Sequence, residues 1–399
     1  MRWLKNYFLW FGILVHIGAG LGWFLLPELV YEAKQKLTRE LQARGVLAAP
    51  LPELQKAPDL PAQIQQAFKP WQPDVSRFPE KTGIWLNHTA VADLTTALNQ
   101  LKQGDLLQIG AGVYQQALTI AVDDVTVEGL GLVIFENATA NNKAMFYLKG
   151  NRISLKNLEC RGIKVADGNG ACVRLEGQGL TLDHVYFHHS QTGLLETAGN
   201  SGNVIVQNSR FEQLGHGGQA HGIYLNFANL LFEHSVMIAA KDAGHGIKSR
   251  GFSTIISKSI LATLGSDDSR LVDISNGGQL QISDSILQEG PYSQNFQLLG
   301  FGLEGLKHAE HNVKLTRNLI ISDRAAPSQL LKVADQTISV NASENLLIGN
   351  ILHDLPGSRE LKNRELAGLP AAPMLPFTIA ICGSYDQEKP GCPLQSGQP

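Results

Sequence analysis

The phrases HGIYLN from His221 and HGIKSR from His245 share a His-Gly-Ile opening. They differ where chemistry would lie, at Tyr224 against Lys248 and at Asn226 against Arg250. Alternate residues of a strand point to one face. A lysine and an arginine on such a face can clamp a carboxylate, the arginine through two parallel hydrogen bonds. A tyrosine can stack on a sugar ring while its hydroxyl donates or accepts a proton. Laid over the neighbouring phrases CVRLE, LVDIS, FQLLG and LKVAD, one outward column reads Arg174, Tyr224, Lys248, Asp273, Gln297 and Lys332. The next reads Glu176, Asn226, Arg250 and Ser275. The two histidines begin equivalent strands, where mutual repulsion lowers both pKa values and leaves a neutral base near pH 7. A structural ladder bonded to backbone explains them equally well. His184, His188, His189 and His216 come from adjacent loops and could join the site. An exposed sheet needs a polar face in any case, and Lys248 beside Asp273 would then be an ordinary ion pair worth little.

What must position these residues is a repeat. The pattern apolar-x-apolar-x-polar-x-x-apolar appears as ISLKNLEC, LTLDHVYF, VIVQNSRF, LLFEHSVM, TIISKSIL, LQISDSIL and VKLTRNLI, starting at Ile153, Leu180, Val204, Leu230, Thr254, Leu280 and Val313. Starts fall about 24 to 27 residues apart, with one interval of about 33 before Val313. Period-two alternation makes each phrase a strand, and the polar residue that follows (Asn157, His184, Asn208, His234, Asp284) marks a corner. The L-x-x-L-x-L pattern of leucine-rich repeats is absent. A period this long with short strands fits one turn of a parallel β-helix, each strand pairing with its copy one turn away. About eight turns are readable, a stack near 40 Å long at about 4.8 Å per turn. The expected fold is all-β, a right-handed single-stranded parallel β-helix (solenoid). Ile223, Ile247, Val272, Ile282 and Leu315 should point inward.

The chain has 399 residues, 17% of them charged, 40 glycines and a formal net charge of −3, which leaves no electrostatic footprint for nucleic acid. Residues 8–26 hold no Lys, Arg, Asp or Glu, and about 19 such residues span a bilayer. Arg2 and Lys5 precede them, so the positive-inside rule keeps the short end cytoplasmic and exports the body. The length favours an uncleaved anchor over a signal peptide. The domains expected are a cytoplasmic end and transmembrane anchor (1–26), a juxtamembrane helix with a Pro-rich linker (27–80), the β-helix with an N-terminal capping helix (81–355) and a tail (356–399). In the capping helix Leu94, Ala97, Leu98 and Leu101 share one face. Cys382 and Cys392 enclose a short Gly- and Pro-containing loop and form either a disulfide or two free thiols. No cysteine pair has zinc-ribbon spacing, so no structural metal is expected.

Over residues 91–353 these features resemble the pectate-lyase-like superfamily of right-handed β-helix proteins. ALNQLKQGDLLQIGAGVY, ending at Tyr114, is similar to the entry segment of its alginate lyase and chondroitinase B branch. HGIY, GHGIKSR and SNGG also resemble a group of uncharacterised bacterial β-helix proteins. In the lyase branch one rung supplies a lysine base and a later rung an arginine acid. Lys248 matches the base, whereas DISNGG stands where the branch has an Arg-His-Gly run, leaving only Arg250 to substitute. The DPHD motif of mannuronan epimerases is absent, and the branch's calcium-binding carboxylates have no clear counterpart here, so no cofactor is expected, calcium being the one the resemblance would allow without a clear site.

The resemblance implies action on an acidic, uronate-containing polysaccharide, by a lyase or C5-epimerase. Both reactions begin by removing the proton alpha to the carboxylate, which needs a base, a donor for the developing enolate and an acid. Lys248 or His245 is the expected base, Arg250 the carboxylate clamp and Tyr224 or His221 the acid. Asp273, Asn226, Arg174 and Gln297 are expected to bind substrate. The alternative is a non-catalytic protein that binds or guides polysaccharide, tethered to the membrane beside synthesis or export proteins. A purely structural spacer leaves the mid-helix charge unexplained.

Overall fold

The computed structural model describes residues 71–369 apart from Ala198, Asn200, Ser201, Pro356 and Gly368. The proposed anchor at residues 8–26 and the Cys382–Cys392 pair lie outside the described residues. No helix among the described residues is long and apolar enough to cross a membrane.

The chain is an all-β, right-handed parallel solenoid of about nine turns, one more than the sequence makes readable. Each turn lays down two strands around a bend and then a third. Leu180–Asp183, Tyr186–His188 and Thr192–Glu196 are one such set. Within the turns, strands pair in parallel with their copies on neighbouring turns, as Leu180 does with Ile153 and Val204, whereas at the entry Ile84–Leu86 pairs antiparallel with Thr89–Val91 and Leu106–Tyr114. The first two strands of each turn form one continuous sheet. The third strands form a ten-stranded sheet among the described residues, in the order of the turns.

The bends explain the polar residue in each repeat. Asn157, His184, Asn208, His234 and Asp284 all have φ between 46° and 57°, and Lys258 and Arg317 take the same place in their turns. Asn, Asp and His tolerate this left-handed region best, hence their recurrence. Just after the bend runs a hydrogen-bonded ladder. The backbone N–H groups of Ser209, Ser235 and Ser259 donate to the Oγ of Ser235, Ser259 and Ser285, and Ser285 N–H continues it to Asn318 Oδ1. Backbone N–H groups that the bend removes from the sheet are thereby satisfied inside the wall.

Ile223, Ile247, Val272, Ile282 and Leu315 are fully buried, so the inward register is the expected one. The capping helix is Leu94–Gln100, started by Asp93, whose side chain accepts from Thr96 N–H at 2.7 Å. Its Leu94 and Ala97 join the core. Trp71 to Phe78 lie against the outside of the larger sheet. Trp71 packs on Tyr186, and His184 Nε2 meets the Gln72 carbonyl at 2.7 Å. Cys160 and Cys172 form a buried disulfide across one turn, with Cα atoms 5.9 Å apart.

Candidate functional site

The third strands carry the expected outward column. Tyr224 on Ile223–Leu225 pairs with Lys248 on Ile247–Ser249, and Lys248 with Asp273 on Val272–Ile274. The strand Thr192–Glu196 places Leu195 between Arg174 and Tyr224. Close stacking at these strand starts requires glycine: a Cβ on Gly222 would sit 2.4 Å from the Gly246 carbonyl oxygen.

Tyr224, Asn226, Lys248 and Arg250 come together around a residue the sequence did not single out, Glu304. Lys248 Nζ donates to Glu304 Oε1 at 2.6 Å, while Arg250 Nε and Nη2 donate to Oε2 at 2.9 and 2.6 Å. The remaining guanidinium nitrogen, Nη1, donates to Tyr224 Oη and to Asn226 Oδ1. Both cations lie over the Tyr224 ring, Arg250 at 5.0 Å and Lys248 at 5.8 Å. Burial would raise the Glu304 pKa, but hydrogen bonds from Lys248 and Arg250 outweigh it and hold the carboxyl below its usual value. Glu304 stands on the segment 302–311, the extra length in the long repeat interval. That interval was the available signal for it.

Asp273 and Gln297 do not line this surface. Asp273 is buried, accepting from Arg270 Nη1 at 2.9 Å and from Ser275 Oγ at 2.8 Å, and Lys248 turns to Glu304 instead. Ser275, expected outward, is fully buried. Gln297 falls outside the column altogether, because Asp273 pairs with Gly300, and Gly300 with Lys332. Every residue of Gln297–Phe301 is buried, so the strand shows no polar alternation from which to fix its register. Gln297 accepts from Arg270 Nε at 3.2 Å.

His221 and His245 lie one turn apart with ring centroids 4.9 Å apart and form the backbone ladder. His221 Nδ1 accepts from His245 N–H at 3.0 Å, and His245 Nδ1 from Arg270 N–H at 3.1 Å. Burial first, then the neighbouring His245, lowers the His221 pKa to about 2. For His245 burial and then Lys248 lower it to about 3. Repulsion between the rings is therefore the lesser cause. With each Nδ1 an acceptor, the proton of the neutral ring sits on Nε2, which for His245 faces Asp273 Oδ2 at 3.5 Å. Neither ring offers a free basic nitrogen on the Nδ1 side.

His184 and His188 sit on the other sheet, where His188 Nε2 meets Glu159 at 3.0 Å. His188 Nδ1 meets His189 Nδ1 at 2.7 Å, which keeps His189 there too.

Beside the charged cluster lies a groove of about 340 Å³, lined by Lys143, Arg174, Leu195, Tyr224 and Asn226, with Val165, Asp167 and Asn169 along one wall. That wall is a loop tied at its base by the Cys160–Cys172 disulfide and by Gln191. Gln191 Oε1 accepts from Val165 N–H and Gly170 N–H at 2.9 and 2.8 Å. Arg174 is half-buried on the groove floor. Its Nε is inaccessible and has no hydrogen-bond partner, and its side chain makes no ion pair among the described residues. The nearby Glu176 is taken by Tyr147 Oη at 2.7 Å and by Lys143 Nζ at 3.3 Å. No cluster of three or more His, Cys, Asp or Glu among the described residues could hold a metal ion.

As arranged, Lys248 and Arg250 are both engaged by Glu304. Lys248, the expected base, must first be released by Glu304.

No protein-family model matches the chain, and no curated protein matches it. Among solved structures it is similar to pectate lyase Pel9A, at 15% identity and a TM-score of 0.49 over 69% of this chain and 74% of that one. It is also similar to an alginate lyase from Paenibacillus sp. str. FPU-7, at 15% identity and a TM-score of 0.43 over 68% and 95%. For pectin methylesterase PemA from Erwinia chrysanthemi the figures are 12%, 0.39, 77% and 96%. At such identities the likeness concerns the solenoid and assigns no role to any side chain.

Proposed function

We propose that the chain binds an acidic, uronate-containing polysaccharide along the ten-stranded sheet, and that it does so as a binding or guiding protein. The observation that carries this is Arg174, a half-buried guanidinium that makes no ion pair among the described residues and whose Nε has no hydrogen-bond partner, on the floor of a polar groove. Glu176, the carboxylate whose charge Arg174 feels, is already bound by Tyr147 and Lys143, so a half-buried guanidinium without a direct partner fits an anion supplied from outside. Tyr224 offers a ring face and Asn226 an amide beside it, suited to a hydroxyl-rich chain. Lyase or epimerase chemistry is the weaker reading, since Lys248 and both histidines are engaged. A buried disulfide forms and persists in oxidising compartments. Together with the apolar stretch at residues 8–26 it supports a body tethered outside the cytoplasm.

Arg174→Ala is expected to weaken binding of oligouronates about 10- to 100-fold, the usual worth of a charge-assisted contact. Its thermal stability should change little, because the guanidinium makes no ion pair among the described residues. Isothermal titration with size-defined oligouronates checks this. Wild-type affinity in the variant, or a loss matched by unfolding, would sink the reading.

A further inference from the structure

We propose that Lys248 and Arg250 form a second carboxylate-binding subsite, and that Glu304 fills it as a built-in stand-in for the ligand's carboxylate. This rests on the acidic-polysaccharide reading and adds to it a place and an occupant.

The geometry is that of a receptor around a guest. The two Glu304 oxygens are divided between the cations, Oε1 to Lys248 and Oε2 to two nitrogens of Arg250. Arg250 does not depend on Glu304 for its position. Its Nη1 is held by Tyr224 and Asn226, and its plane lies over the Tyr224 ring. Arg250 would therefore stay in place if the carboxylate left, and Lys248 would keep its place over the Tyr224 ring at 5.8 Å. Exposure runs the same way: the Glu304 side chain is 39% exposed, against 12% for Lys248 and 21% for Arg250. The anion is the outermost member and the one a solute meets first.

Glu304 is also carried by a segment added to the turn. Its backbone N–H donates to Ser275 O at 2.8 Å, and Lys307 N–H to Asn276 O at 3.0 Å, so the segment is pinned across the sheet on both sides of the side chain. Gly302 and Gly305, at φ of 74° and 97°, flank it and permit the tight turn. A partly exposed ion pair adds little stability by itself. An inserted segment, a backed guanidinium and a divided carboxylate amount to more than such a pair requires. Between Lys248 and Arg174 lie three turns, roughly 14 Å at about 4.8 Å per turn. The two subsites thus sit along one face at a separation that only an extended, multiply charged chain can bridge.

The test compares wild type, Glu304→Ala, Glu304→Gln, Arg174→Ala and Glu304→Ala/Arg250→Ala by calorimetric titration. The probes are oligogalacturonate, oligomannuronate and a glucuronate-based oligomer, each beside its methyl ester. Removing the stand-in should tighten binding of at least one free-acid oligomer about tenfold, the factor for releasing two partly exposed ion pairs. The gain should be absent with the ester and abolished when Arg250 is also removed. Glu304→Gln, which keeps the size of the side chain, should show the same gain if the loop stays folded. Unchanged or weaker binding in both Glu304 variants overturns the stand-in, and leaves the polysaccharide reading intact if Arg174→Ala still loses affinity. An Arg250-dependent gain with no effect of Arg174→Ala upholds this subsite and overturns the reading built on Arg174. No binding by any variant overturns both.

Discussion

Phe211→Ala is expected to lower the free energy of unfolding by about 3 to 5 kcal/mol, the usual range for deleting a fully buried aromatic ring. Phe211 is fully buried between Phe187 and Phe232, with ring centroids at 5.5 and 6.2 Å. It reaches across the interior to the strand beneath the groove, where a Cβ on Gly193 would lie 2.9 Å from its ring. In a solenoid each turn is supported by its neighbours alone, so the cavity cannot be spread over a large core. Phe227, 48% exposed, provides the contrast. Its replacement by alanine should stay within about 0.5 kcal/mol. Urea unfolding of the two variants measures the difference. Similar costs at the two positions would mean that the phenylalanine stack is not the support it looks to be.

The residues that made the core legible also mark where legibility ended. Ile223, Ile247, Val272, Ile282 and Leu315 sit in strands where apolar and polar residues alternate, and alternation fixes which face is inward. Corner positions were readable for a different reason, since only a few residue types settle at positive φ without strain. Gln297 failed because its strand is buried on both faces, and a period-two pattern with no polar member has no phase. Asp273 had the right register and the wrong environment: Arg270 and Ser275, three residues before and two after, fold over it. Burial of that kind depends on loop paths that strand periodicity does not encode.

For the site the division is similar. Tyr224, Asn226, Lys248 and Arg250 were brought together by register alone. Glu304 comes from a segment without repeat character, so the long interval could announce an insertion without saying where it lands. Arg174 belonged to the expected column, but the missing hydrogen-bond partner of its Nε has no signature in sequence.

Glu289→Gln is expected to stabilise the protein by about 3 kcal/mol at pH 8 and by almost nothing at pH 4. Glu289 is buried on Ile286–Glu289, and neither carboxyl oxygen makes a hydrogen bond. Burial raises its pKa to about 7, which the nearby Ser328 hydroxyl, paired with Ser322 rather than with the carboxyl, and the charge of Arg324 offset only in part. The buried Asp268 nearby is also raised, by burial first, so the two carboxyls share a region that favours their neutral forms. The folded state then keeps a proton on Glu289 that the unfolded chain has released, from near pH 4.5 up to about 7. Stability falls as pH rises through that window and is flat above it. A glutamine is neutral throughout and removes the dependence. His221 and His245 act in the opposite direction, since their lowered pKa values draw stability away as pH falls below about 6.5. Comparing variant with wild type at the same pH cancels the histidines and isolates Glu289. Urea unfolding at pH 4 and pH 8 gives the two differences. A gain equal at both, or larger at pH 4, would mean that the carboxyl is not held neutral by its surroundings.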